Sequence, residues 1–187
     1  MKKLLIFLCV SFLFLRCTET ASGSTPANEP LSERRVLLTR EAARHIGTPY
    51  ASPSSPPRTF DCSSFVSHVF AQLGYSLPRV SFAYAYVGTR IDWRYALPGD
   101  ILVFSRTRGS PFISHVAILW ERCSTGNLAG SSIIHSASIN TGRSMLQGNT
   151  VTRTGVVVTQ LGLRADGIIE NEYFFQRFKF VTRVLRD

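Results

Sequence analysis

The chain has 187 residues, of which 44% are hydrophobic and 18% charged, with thirteen Phe, six Tyr and two Trp. That supplies one core of ordinary domain size and carries too little charge for a disordered chain. A formal net charge of +9 would draw the protein to polyanions, which include nucleic acid, anionic lipid and acidic envelope polymers, and charge alone does not choose among them.

The sequence opens on Lys2-Lys3 and an apolar run from Leu4 to Leu15. This is the order of a secretory signal, and the run is too short to span a bilayer. Cys17 closes the run, and residues 18–31 are polar and rich in small side chains, as in a flexible tether. The arrangement resembles a bacterial lipoprotein signal, which implies lipidation of Cys17, although Arg16 stands where a small residue is expected. Ordinary cleavage near Thr20-Ala21-Ser22 is the alternative. Both imply export, and the lipoprotein form implies an anchor on the membrane facing the periplasm or cell wall. Export removes the chain from DNA, so no nucleic-acid partner is expected.

Residues 32–187 then read as one domain. Ser32 is the expected N-cap of a helix to about Ile46, with Val36, Thr39, Ala43 and Ile46 on its inner face and Gly47 and Pro49 ending it. Ala51 to Thr59 holds three prolines and three serines and reads as loop. Asp61 is the expected N-cap of a second, buried helix, with Phe65, Val66, Val69, Phe70 and Leu73 as an apolar stripe and Gly74 as its stop. After the turn at Leu97-Pro98-Gly99-Asp100, strands are expected over Ile101 to Phe104, Ser114 to Glu121, Ser132 to Ala137, Val156 to Gln160 and Phe178 to Leu185. Helices followed by an antiparallel set of strands make an α+β layout.

Cys62 falls on the first residue of the second helix, where unpaired N–H groups and the macrodipole favour an anion. A cysteine nucleophile needs such help, because a free thiol is only a few per cent thiolate at neutral pH. Strand parity places His115 on one face with Ala117 and Leu119, and His135 on one face with Ile133 and Ala137. If the two strands pair, the rings are neighbours, and a Cys62-His115-His135 relay follows, with an imidazolium holding the thiol as an anion. Two other arrangements use the same residues: a Cys62–Cys123 disulfide, and a zinc site of Cys62, His115 and His135 that no close Cys-x-x-Cys or His-x-x-x-His pair supports. His45 and His68 lie off the apolar stripes and read as solvated, and Cys123 as a plain free thiol.

The run Phe60-Asp61-Cys62-Ser63-Ser64-Phe65-Val66 resembles the NlpC family of cell-wall cysteine peptidases. Further matches are Gly47-Thr48-Pro49-Tyr50, Leu77-Pro78-Arg79-Val80-Ser81, Leu97 to Phe104, Ile113 to Ile118, Ile134 to Ala137 and a tail that includes Tyr173-Phe174. The resemblance implies a papain-like α+β fold and hydrolysis of amide bonds in peptidoglycan stem peptides, often between γ-D-glutamate and a diamino acid. It gives Cys62 as nucleophile, His115 as base and His135 as the polar third residue. It also implies Tyr50 as an oxyanion donor beside the Cys62 N–H, and Asp61, Ser63 and Ser81 as substrate-gripping residues. It calls for no cofactor and no metal, and a monomer is expected. Ser64 stands where the family has glycine, and Ala51-Ser52-Pro53 replaces an aromatic and glycine pair. An acyl transferase on the same scaffold and a non-catalytic envelope binding module are the alternative readings.

Overall fold

The computed structural model describes residues 30–123, 128, 130–138, 154–163, 169–170, 174 and 176–186. The expected signal, Cys17 and all but the end of the expected tether lie outside them, as does Tyr173. No helix among the described residues is long and apolar enough to cross a membrane.

Helix α1 spans Leu31–Arg44 with Pro30, not Ser32, at its N-cap. Its buried face also differs from expectation. Leu38 and Ala42 are fully buried and Arg34 and Arg35 nearly so, whereas Val36 is 47% exposed. The reason is that an arginine stem is apolar and its head can find partners inside. Arg34 bonds the Tyr75 hydroxyl and the Arg186 carbonyl, and Arg35 bonds the Pro98 carbonyl at 2.6 Å and Asp100 at 3.1 Å. Asp100, wholly buried, also pairs with Arg183 at 2.8 Å. The turn predicted at Pro98-Gly99-Asp100 is therefore the point where α1 is tied to the sheet.

Helix α2 spans Cys62–Ala71 and follows its expectation closely. Asp61 caps it by accepting from the Ser64 N–H at 2.7 Å, and Ser64 Oγ accepts from the Asp61 N–H at 2.8 Å. This reciprocal pair satisfies two otherwise orphaned donors and fixes where the helix starts. Phe65, Val66, Val69 and Phe70 are completely buried, and Gly74 adopts φ +84° to end the segment.

Between α2 and the sheet lie a 3-10 turn over Ser81–Tyr86 and a second over Trp93–Tyr95. The strands are β1 Thr89–Ile91, β2 Ile101–Ser105, β3 Ile113–Glu121, β4 Ser132–Ala137, β5 Gly155–Gln160, β6 Gly162–Leu163, β7 Ile169–Glu170 and β8 Phe178–Arg183. All the expected strands form, while the short β1, β6 and β7 carry no run long enough to announce themselves. Six strands make one antiparallel sheet in the order β1-β8-β2-β3-β4-β5, and β6 pairs with β7.

Alternation along the strands gives the sheet two buried faces. Ile101, Val103, Val116, Ile118 and Ile134 pack against Leu38, Phe65 and Val69 of the helices. Leu102, Phe104, Ala117, Leu119 and Ile133 form a second core with Phe174 and Val181. His115 and His135 share parity with this second set, so they sit on the face turned away from the helices.

Candidate active site

Three backbone attachments bring the helix start to one end of the sheet. Phe60 forms a bridge with Tyr50 and donates its N–H to the Pro49 carbonyl at 3.1 Å. The buried Ser136 hydroxyl donates to the Phe60 carbonyl at 2.8 Å. Thr48 accepts from the Val156 N–H at 2.9 Å, and at Gly155, where φ is +127°, a Cβ would fall 2.3 Å from the Thr48 carbonyl oxygen. Only glycine permits that approach. The Gly47 to Tyr50 segment is thus laid on β5, with Tyr50 facing Cys62.

The resulting cleft is lined by Tyr50, Cys62, Ser114, His115, Ser138 and Phe174 among others. These lie at the end of β4, the start of β3 and the start of α2, which antiparallel pairing brings to the same end of the sheet. No disulfide joins Cys62 and Cys123. Cys62 is part-buried, and its Sγ lies 3.9 Å from the Ser114 carbonyl oxygen. It makes no hydrogen bond to His115, although both line the cleft.

The two histidines meet as strand parity implies. His115 Nε2 and His135 Nδ1 are 3.0 Å apart, and His135 Nε2 is 2.9 Å from Thr159 Oγ1. Among the described residues no carboxylate enters this chain, so each bond needs one neutral donor and one acceptor. Two neutral assignments satisfy both bonds, because the Thr159 hydroxyl can accept or donate: His115 Nε2–H donates to His135 and His135 Nε2–H to Thr159, or both bonds run the other way. In the first, His115 Nδ1 keeps its lone pair. The ring of Phe174 lies 5.1 Å from His115 and 4.8 Å from His135, packed against both.

Burial holds both imidazoles neutral, pushing His115 down to about 4 and His135 well below the usual range, with His115 adding to the effect at His135. Burial also pushes the Cys62 thiol up to about 11, and the Asp61 charge adds to this against the N–H groups of Val116, Ser63 and Cys62. The helix N-terminus points donors at the sulfur, against burial and the carboxylate next door.

Tyr50 is raised by burial and then by the charges of Cys62 and Asp61, so its phenol stays a donor. Asp61 is committed structurally. Burial raises it, yet the Ser64 N–H, the Ser63 and Ser54 hydroxyls and the Arg79 charge bring its pKa below the ordinary value. Ser63 Oγ lies 2.9 Å from Asp61 Oδ1 and 2.6 Å from the Arg79 carbonyl oxygen. Ser81 opens the first 3-10 turn and does not line the cleft. Thr159, Ser136 and Phe174 were not singled out for a role from sequence; a lone hydroxyl ending the run Val156-Val157-Val158-Thr159 is the one signal that could have pointed to Thr159.

His45 and His68 are not solvated as expected. Their rings face each other at 5.0 Å and both pack against Phe60, at 5.1 and 5.3 Å.

The sequence pattern of the NlpC/P60 family matches residues 47–160. The Probable endopeptidase p60 of Listeria innocua is 46% identical over 81 residues, 43% of this chain and 17% of that protein. The chain therefore spans under a fifth of that relative's length. In structure it is similar to an NlpC/P60 family protein from Bacillus cereus, with a TM-score of 0.60 and 20% identity over 81% of this chain and 40% of that one. It is also similar to the NlpC/p60 domain of the peptidoglycan hydrolase SagA, with a TM-score of 0.53 and 25% identity over 80% of this chain and 97% of that one. A match over most of the domain, an α+β fold shared with solved members and a cleft at the matched segments lead to one conclusion: this chain belongs to the NlpC/P60 family.

Proposed function

We propose that the protein is a cysteine endopeptidase that hydrolyses amide bonds in peptidoglycan stem peptides, with the bond between γ-D-glutamate and a diamino acid as its target. The observation that carries this reading is the His115-His135-Thr159 chain. It turns one nitrogen of His115 inward, and in the tautomer with the proton on Nε2 it leaves Nδ1, as a neutral base, to the cleft that holds Cys62.

Substrate entering the cleft brings thiol and imidazole into contact, since catalytic hydrogen bonds often tighten only when substrate is bound. His115 Nδ1 takes the thiol proton as Cys62 Sγ bonds to the amide carbon. The Cys62 N–H and the Tyr50 hydroxyl hold the oxygen that becomes negative. His115 then returns the proton to the departing amine, leaving a thioester that water cleaves to regenerate the thiol. His135 holds the His115 tautomer, and its partial charge favours the imidazolium formed midway. Asp61 and Ser63 act chiefly by fixing the helix start and Arg79, and only secondarily by meeting a substrate amine. Ser81 would join them after a movement of its turn.

Residues 1–17 serve in this proposal as an export signal, and lipidated Cys17 with residues 18–31 tethers a single domain to the envelope. Incorporation of labelled fatty acid that is lost in Cys17→Ala would support the anchor.

The decisive test incubates the purified protein and Cys62→Ala with muropeptides and reads the products by mass spectrometry. Cleavage with a new amine is expected from the first alone. A mass gain instead would establish acyl transfer, and no product from either would remove the enzyme reading.

A further inference from the structure

Away from the cleft, Glu41, His45 and His68 bring one ligand atom each to within 4.8 Å of one another. Glu41 and His45 stand one turn apart at the end of α1, and His68 lies in the last turn of α2. His45 Nε2 is 3.3 Å from Glu41 Oε1, and these two side chains are only 12% and 15% exposed. The imidazoles are held from behind by the Phe60 ring. We propose that Glu41, His45 and His68 form a binding site for a divalent transition-metal cation of the zinc class, which clamps the end of α1 to the end of α2.

Chemistry, position and spacing each support the site. Two imidazoles and one carboxylate are a donor set for zinc and its neighbours in the series, and three protein ligands leave a position for water. The site also lies where two helices end. Both macrodipoles present their negative poles there, which disfavours the Glu41 carboxylate alone and favours a cation that neutralises it. Tetrahedral ligands around zinc stand about 3.4 Å apart, so a closure of about 1.4 Å, within the reach of side-chain rotation, completes the geometry.

Besides the three ligands, Arg40 and Arg44 line the hollow beside Glu41. Arg44 holds Glu41 Oε2 at 2.9 Å but is 76% exposed, so it leaves Oε1 to the metal and swings into water at little cost.

The site is independent of the peptidase reading, and the test separates the two. Full-length Cys62→Ala protein is titrated with Co2+ alone and followed by visible absorption and thermal unfolding. One equivalent is expected, with d–d bands, no thiolate charge-transfer band and a raised Tm. His68→Gln and Glu41→Gln should each weaken binding by about tenfold or more and abolish the Tm rise, while both keep muropeptide cleavage in the Cys62 background. Two variants guard against one that fails to fold. Absence of binding to Cys62→Ala, or binding that survives His68→Gln and Glu41→Gln together, would overturn the site.

Discussion

Two pairs of imidazoles face each other across this molecule at the same ring separation, 5.0 Å, and in the same edge-on manner, with interplanar angles of 89° and 79°. His115 and His135 sit on strands within a core, bonded to each other and backed by a hydroxyl. His45 and His68 sit at helix ends near water, beside a carboxylate. Burial disfavours charge on the first pair, which is proposed to hand on a proton; the second is proposed to receive a cation. Ring geometry alone therefore says little about an imidazole's task. The third group and its surroundings decide it: a neutral hydroxyl completes a hydrogen-bonded chain in either direction, whereas a carboxylate at two helix C-termini supplies charge.

Substitutions at each pair in turn separate their tasks. Cys62→Ala should lower the rate of muropeptide cleavage by about 10³-fold or more, while His68→Gln leaves it within about twofold, as expected for a site with no part in the chemistry. Equal losses would merge the two pairs into one functional unit. Next in size, His135→Ala should lower kcat by about 10²-fold, with KM little changed, because it orients the base and touches no substrate. Thr159→Val should cost about tenfold in kcat and about 1–3 kcal/mol of stability in urea, since it leaves His135 Nε2 buried and without its partner. An unchanged kcat with that stability loss would reduce Thr159 to a packing residue.

pH separates the pairs further. The free thiol titrates near 11, so alkylation of Cys62 by iodoacetamide should rise about tenfold per unit through pH 7 to 9. A rate that stays flat below pH 6 would show a resting ion pair and contradict the neutral assignment. The smallest effect is on folding. His115 has its folded pKa near 4 against 6.5 when unfolded, and His135 is likewise depressed, so the unfolded chain binds protons that the folded chain refuses. Stability should be full above pH 6.5 and fall as pH drops, with the His115 contribution levelling out below about 4. Thermal unfolding against pH should lose part of this slope in His115→Asn.

Much of the cleft was legible along the chain, because its parts obey local rules. Asp61 before an apolar helix fixes the place of Cys62, and the two-residue period of a strand puts His115 and His135 on definable faces. Readings failed where a side chain's partner lies far away in sequence. Arg34 and Arg35 look like surface residues until Pro98, Asp100 and Arg186 receive them, 63 to 152 residues on. His45 and His68 look solvated until α1 and α2 lie side by side.

Capping and periodicity act over a few residues, so the helix start at Asp61, the alternation of the strands and the residues offered for chemistry can be read along the chain. Which of these residues meet depends on folding. Thr159 behind His135, Phe174 against both rings and the burial that raises the Cys62 pKa arise from long-range contact, which no local pattern encodes.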